Sequence, residues 1–426
     1  MTEKKHTIKH LMIKWCKEMF PFNRSLTGDG TDRTIKYLTK INKQIKIIKF
    51  KSKQKVFDWE IPSVWNVKDA FIQDVVTKKK FCDFKVNNLH LVGYSINVNK
   101  IINTKDLLKK IYTHKNKTWI PYRTTYYKKD WGFCSSKIEK NKLKKKKYKV
   151  YINSKFSNGT LNIGEYYKKG KTKNEIFFST YICHPSMANN ELSGPVVSSA
   201  LIDYIKSKKT NYSYRFVFLP ETIGSIAYLS LRKKILKKNV ISGFNLSCVG
   251  DNRAYSIIKT KKINTISNQA LYSATRGLKK RKIYDYLYSA SDERQYNSPG
   301  IDLPVAGFCR SKYKSYPEYH TSADNFDVVT KEGLYGSYQV LKKIIDAFET
   351  ELYPLTKIFC EPFLSKRNLY PSLSGDFLKA NIINRKNILK YCDGKTNIFE
   401  ISNILKISLS ETINHLKILK LNKIIY

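Results

Sequence analysis

A chain of 426 residues, 42% hydrophobic and 13% aromatic, is too apolar to be disordered and long enough for two or three domains. Its formal net charge of +45 invites a nucleic-acid reading, yet only 12 of its 79 basic residues are Arg. Lys, Ile, Asn and Tyr crowd the rest, as AT-rich codons supply them, and the forked donors that read phosphates and bases are scarce, so nucleic acid is not favoured as a partner. No run approaches the roughly 20 apolar residues needed to span a bilayer.

In chain order, residues 8–20 place apolar groups at helical spacing, and Pro21 stops that helix. Residues 23–33 read as a polar, glycine-containing turn, with Asp32 or Thr31 capping a second helix over 34–41; a substrate-facing loop is the alternative. From about 55 to 140, short β-like runs lie at 56–62, 65–72, 89–95, 120–127 and 131–134. Trp59, Trp65, Trp119 and Trp131 fall among them, enough for a core of their own. Residues 55–140 are therefore expected to form an inserted β-rich domain. The lysine-rich tract over 142–149 reads as a solvated loop.

From about 148 the pattern alternates. Strands are expected at 149–153, 176–183, 214–219, 243–249 and 303–308, and helices at 195–206, 225–238, 267–274 and 333–349. Such alternation predicts an α/β domain over residues 1–54 and 141–352, a mostly parallel sheet with helices on both faces. The tail, 355–426, differs again. Helical segments near 387–391, at 397–405 and at 409–419, followed by room for a strand at 423–426, outline a winged helix. Its last helix offers Ser410, Glu411, Asn414 and Lys417 but no Arg, which suits a packing module better than a groove reader.

Ligands of parallel sheets bind beyond the C-terminal strand ends. His184 follows the strand at 176, Glu221 the strand at 214 and Asp251 the strand at 243. Ser291, Asp292, Glu293 and Arg294 precede the strand at 303, and His320 lies beyond it. Two imidazoles and several carboxylates on one edge suit Zn²⁺ with a bound water. The eight cysteines, at 16, 82, 134, 183, 248, 309, 360 and 392, stand singly without a CxxC pair. That argues for reduced thiols in a cytoplasmic protein, as does an N-terminus without a signal-peptide pattern.

Residues 179–194, 291–296 and 316–324, with the domain order, resemble the zinc aminopeptidase superfamily that includes bacterial leucyl aminopeptidases, glutamate carboxypeptidase and glutaminyl cyclase. More closely, the chain resembles the aminopeptidase-like proteins found among polysaccharide-biosynthesis genes, whose peptidase-like core carries an inserted β-rich domain and a C-terminal winged helix. The resemblance spans essentially the whole chain. It implies metal ligands at His184 and His320, the first and last of the superfamily pattern. The position of the bridging Asp holds Asn190, with Glu191 next; the Glu-Glu pair is reduced to Pro220 and Glu221; the next Asp falls on Ser247, with Asp251 four residues later. Asn cannot offer two anionic oxygens to two cations, so one Zn²⁺ is expected rather than two. Its carboxylate is Glu221 or Asp251; Asp251 as ligand leaves Glu221 free as catalytic base. Glu191, Asp292, Arg294 and Tyr296 are assigned to substrate contact, with Arg294 or Tyr296 steadying an oxyanion or a substrate carboxylate. The expected activity is hydrolysis of a small peptide-like or sugar-linked amide by zinc-activated water, in surface-polysaccharide biosynthesis. The alternatives are a non-catalytic scaffold of the same fold and, less favoured, a DNA-binding regulator acting through the winged helix. A homo-oligomer is compatible with the sequence.

Overall fold

The computed structural model describes residues 2–126, 128–370 and 380–426. An eight-stranded sheet organises the chain, in the order Lys46–Lys51, Thr160–Lys168, Ser213–Leu219, Glu175–Tyr181, Val240–Leu246, Val305–Cys309, Tyr255–Ile258 and Arg281–Tyr284. The four central strands are mutually parallel; two antiparallel pairings add Thr160–Lys168 and Lys46–Lys51 on one side, and on the other Tyr255–Ile258 joins antiparallel and carries Arg281–Tyr284 parallel to itself. The sheet is thus mixed, with a parallel centre. Those central strands are apolar throughout because they are covered on both faces. The outer strands were not expected from the sequence. Lys46–Lys51 and Arg281–Tyr284 are short, lysine- or arginine-bearing and half exposed, so they lack the apolar run that marks a buried strand.

Alternation along each central strand divides its side chains between two cores. Phe178, Phe216, Phe244 and Phe308 point to one face, with the helices Thr2–Met19, Ser193–Ile205 and Lys331–Thr350. Phe178 and Phe216 stack there with ring centroids 4.5 Å apart. Phe177, Val217, Leu219 and Val305 point to the other face, against Ile223–Asn239 and the inserted domain. Close approach on the first face depends on Gly194. A Cβ there would sit 2.0 Å from Thr180 Oγ1 and 2.8 Å from Leu246 O. Gly194→Ala is therefore expected to push the Ser193–Ile205 helix off the sheet and destabilise the protein by about 1–3 kcal/mol, read as a lower urea midpoint at constant m.

The inserted region builds a four-stranded antiparallel sheet in the order Lys80–Phe81, Val64–Asp74, Lys147–Ser157 and Val98–Asn103. The run at 149–153, which alternation assigns to the α/β part, belongs to this second sheet. It continues through a short connection at Gly159 into Thr160–Lys168 of the eight-stranded sheet. The loop before the second helix is shorter than expected, because that helix begins at Asp29 rather than Thr34. Gly30 lets it start there, since a Cβ would meet Asn23 O at 2.0 Å.

In the tail, Ile398–Leu405 packs on Ile266–Ala274, and Leu409–Leu421 packs on Lys331–Thr350. Asn403 Nδ2 donates to Gln269 O at 3.0 Å, and Asn397 Nδ2 to Gln269 Oε1 at 2.7 Å. The terminal strand reduces to one antiparallel bridge, Thr356 with Ile425. All eight cysteines are free thiols, and only Cys360 is exposed. Among the described residues no helix is long and apolar enough to cross a membrane.

Candidate active site

Parallel strands end on one edge, and that edge gathers the polar groups. His184 lies three residues beyond Glu175–Tyr181, and Glu221 two beyond Ser213–Leu219. A π-helical turn, Ala188–Leu192, leads from the first strand end into the Ser193–Ile205 helix. Such turns cost hydrogen-bond geometry and recur at functional sites. Asp324 holds this one open: its carboxylate accepts from Asn189 N at 2.5 Å and Asn190 N at 3.0 Å.

The π turn aims Glu191 back at His184, whose Nδ1 lies 2.8 Å from Glu191 Oε2. With that nitrogen engaged, Nε2 faces the site, 3.9 Å from Glu221 Oε2. The two imidazoles of His184 and His320 stand with centroids 5.2 Å apart, and His320 Nε2 is buried without a hydrogen-bond partner. Tyr122, from the inserted domain, sets its ring edge-on to both, at 5.2 Å from each. It is held there by Tyr122 N donating to His320 O at 2.8 Å and by a bridge between Pro121 and Thr321. Tyr319 stacks on the far side of His320 at 3.9 Å. The inserted domain therefore walls the site, a contact across about 200 residues of sequence that no local pattern announces.

Burial sets the charge states. It lowers His184 from its ordinary 6.5 to about 3, with the Arg24 guanidinium adding to the shift. It raises Glu191 from 4.5 to about 8, against the opposing pull of Arg24 and His184. His320 is held well below its usual value by burial and by His184. Glu221 and Asp292 are both pushed up by burial, and the Asp292 charge adds to the rise at Glu221. Without a cation the site is thus neutral imidazoles beside protonated carboxyls. Glu191, raised in the folded state, favours folding fully below pH 4.5 and loses that contribution as pH climbs to about 8. His184, lowered, favours folding above pH 6.5 and loses it as pH falls toward 3. The two trends offset each other between those ordinary values. The metal-stripped protein is expected to lose melting temperature between pH 6.5 and about 8, and Glu191→Gln to lessen that slope, the remainder coming from Glu221 and Asp292, as pH-series calorimetry reads directly.

Several expected site residues serve elsewhere. Asp251 is not brought to the histidines. Its oxygens accept from Asn189 Nδ2 at 3.0 Å, Ser311 N at 2.9 Å, Ser311 Oγ at 2.9 Å and Arg253 N at 2.8 Å, so it holds loops together and has no lone pair directed at an ion. Tyr296 is fully buried under the sheet, hydrogen-bonded to Ser179 at 2.8 Å, and cannot meet substrate. Asp292 is likewise buried; its Oδ1 accepts from Thr222 N at 2.8 Å and Ser225 Oγ at 2.7 Å, fixing the loop that carries Glu221. Glu191 lies behind His184 rather than in the open site, 3.7 Å from Arg24 Nε. Arg294 is exposed at the rim and donates to Thr222 Oγ1 at 3.1 Å. Asn190 accepts from Tyr181 OH at 3.3 Å, and its Nδ2 is buried and unpaired.

Arg24 was not anticipated. It comes from the loop after the first helix, donates to His184 O at 2.8 Å and to Met19 O at 2.5 Å, and stiffens the backbone that carries the imidazole. The loop read as a turn or as facing substrate thus braces the site from behind. Cys183, His184 and Glu191 also bring ligand-type atoms within 4.8 Å of one another. The buried guanidinium beside Glu191 makes that inner side unfavourable for a second cation. His184 Nε2, 3.9 Å from Glu221 Oε2, and His320 Nε2, buried without a partner, are the imidazole nitrogens that Glu191 does not engage.

A parallel-centred sheet with catalytic-type groups on its C-terminal edge, an inserted β domain and a winged-helix tail defines an aminopeptidase-like protein. A family model described as "Domain of unknown function (DUF4910)" matches residues 13–351, and a winged helix-turn-helix model matches 352–426. The chain belongs to this family. It is 38% identical over 399 residues, 91% of this chain and 89% of the relative, to a Clostridium acetobutylicum protein named for polysaccharide biosynthesis and an aminopeptidase-like domain. A crystal structure of a protein from Clostridium acetobutylicum, named as a peptidase, superposes with a TM-score of 0.91 at 34% identity, covering 100% of this chain and 97% of that one. The zinc aminopeptidase of Bacillus subtilis matches at a TM-score of 0.58 and 15% identity, over 80% of this chain and 94% of its own, a likeness of fold.

Proposed function

We propose that the protein is a metal-dependent amide hydrolase acting on a small peptide-like or sugar-linked amide in surface-polysaccharide biosynthesis. The observation that carries this reading is the pair of neutral imidazoles with centroids 5.2 Å apart: His184 Nε2 lies 3.9 Å from Glu221 Oε2, and His320 Nε2 is buried without a hydrogen-bond partner. Such a donor set fits a single divalent ion of the zinc type, held by His184 and His320 with Glu221 beside it. It does not fit two, because the position that would bridge them is the neutral Asn190. When bound, the ion supplies Lewis-acid polarisation of a carbonyl and a lowered pKa for water.

The chain's own residues do the rest. Glu191, 2.8 Å from His184 Nδ1, would as a carboxylate accept from that nitrogen and so keep the Nε2 lone pair toward the site. Ser291 Oγ donates to Glu221 Oε1 at 2.6 Å, leaving Oε2 free to take the proton of the attacking water and pass it to the leaving amine. Glu221 is the carboxylate suited to this, with a side chain 23% exposed where that of Glu191 is 0%. Tyr122 and Tyr319 shield the imidazoles from bulk water. Arg294, at the rim, receives an anionic end of the substrate. The glycan setting is supported by the name of the Clostridium relative, and the free cysteines suit a reducing compartment.

Metal analysis tests the ligand assignment. After gentle purification, wild-type protein is expected to lose one equivalent of divalent metal when either His184→Ala or His320→Ala is introduced, with Asp251→Asn leaving the content unchanged. Equal metal content in wild type and both histidine variants would sink the proposal.

A further inference from the structure

The inserted domain holds a second cluster of ligand-type side chains. Cys82 follows the strand Lys80–Phe81, His90 closes the short turn Asn88–His90, and Glu139 lies in the helix Lys137–Lys140. A sulfur, a ring nitrogen and a carboxylate oxygen from these three residues all lie within 4.8 Å of one another. Cys82 is fully buried and His90 is 5% exposed, while the Glu139 side chain keeps 27% exposure.

Orientation is what makes the cluster informative. His90 Nδ1 lies 2.8 Å from Cys134 O, and a carbonyl only accepts, so Nδ1 carries the ring proton. That leaves Nε2, when it carries no proton, with its lone pair toward Glu139 Oε2, 3.7 Å away and too far for a hydrogen bond. A lone pair and a carboxylate facing each other call for a cation between them. The carboxylate is fixed from behind: Oε1 accepts from Cys82 N at 2.9 Å, and Oε2 from Ser135 Oγ at 3.1 Å. A histidine anchored through its other nitrogen by a backbone carbonyl is the arrangement metal sites use to hold an imidazole in place. Burial pushes the Cys82 thiol up, so the sulfur is protonated when no cation is present.

We propose that Cys82, His90 and Glu139 form a structural site for one divalent transition metal of the zinc type, with water as fourth ligand on the side where Glu139 meets solvent. Thiolate, imidazole and carboxylate are the ligand types such an ion takes. On binding, the Cys82 S–H bond breaks, its proton leaves to solvent, and a sulfur–metal bond forms. A divalent cation with one thiolate and one carboxylate is electrically neutral, which suits a mostly buried site. The ion would tie the end of Lys80–Phe81, the Asn88–His90 turn and the Lys137–Lys140 helix to one point.

The test uses the full-length His184→Ala/His320→Ala double variant, which lacks both imidazoles of the catalytic centre, so its outcome is independent of the proposed activity. Stripped of metal under reducing conditions and titrated with Co²⁺, it is expected to bind one equivalent with a thiolate-to-cobalt charge-transfer absorption and a raised melting temperature. Adding Cys82→Ser is expected to abolish that absorption, and adding His90→Gln or Glu139→Gln to weaken Co²⁺ binding at least tenfold. The absence of saturable Co²⁺ binding would overturn the proposal, leaving His90 and Glu139 as a proton-sharing pair. A charge-transfer band that survives Cys82→Ser would overturn it equally, by placing the metal on another thiol. Should Cys82→Ser fail to fold, unchanged affinity in Glu139→Gln overturns it on its own.

Discussion

Replacing Glu221 with Gln is expected to lower amide turnover by about 10²–10⁴-fold, the usual contribution of a positioned acid–base group. The fold should be unchanged, and metal content is read alongside because Glu221 lies beside the proposed ion. The amide keeps the shape of the side chain and can still meet Ser291 Oγ, which holds Oε1 at 2.6 Å, but it cannot carry a proton at Oε2. The loss should fall on kcat rather than KM, because the proton moves only as the tetrahedral centre forms. Initial rates on a panel of aminoacyl and N-acyl-sugar amides, with metal content measured on the same samples, check this. Wild-type turnover retained in Glu221→Gln would rule out Glu221 as base. No turnover of any amide by wild type would favour the scaffold reading, to which the neutral Asn190 at the bridging position also points.

Arg215→Ala is expected to have the largest effect on stability, about 3–5 kcal/mol, because it strands two buried carboxylates. Arg215 is 4% exposed on the second face of the sheet. It meets Glu175 through Nε at 2.7 Å and Nη2 at 3.0 Å, and Glu165 through Nη1 at 2.8 Å. Arg232 and Asn239 reach the same acids at 3.1 and 3.2 Å but cannot replace the central guanidinium. Against a total stability of about 5–15 kcal/mol for a domain, such a loss brings the protein close to unfolding. A combined Arg215→Met, Glu165→Gln, Glu175→Gln variant should recover much of it by removing the unpaired charges together. Denaturant unfolding of both variants decides; a loss below about 1 kcal/mol for Arg215→Ala would mean the acids find other partners.

The central strands were legible in the sequence because burial on two faces leaves an uninterrupted apolar run, as in residues 176–181. Lys46–Lys51 and Arg281–Tyr284 were not, since half-exposed outer strands mix charge with β-branched residues and mimic loops. The same physics sorted the site. His184 and Glu221 stand out because polar residues just past buried strands face a shared edge, and the fold brings His320, well beyond the strand Val305–Cys309, beside His184. Position along the chain does not say which way a side chain turns, however. Asp251 follows its strand as expected, yet its oxygens are taken up by Ser311, Asn189 and Arg253. Tyr296 sits among polar residues but turns under the sheet to Ser179. Tyr122 and Arg24 reach the histidines across long stretches of chain, and only the folded arrangement puts them there.

The two outermost strands bear on solubility. An exposed strand edge is a template on which a second chain can add and begin an aggregate. Here one edge carries exposed Lys46, Lys49 and Lys51, and the other exposed Arg281 and Lys282. A second copy approaching either edge sets like charges opposite one another, a repulsion reinforced by the overall charge of +45. The basic excess that does little to suggest a nucleic-acid partner thus has a use in keeping a large open sheet from growing.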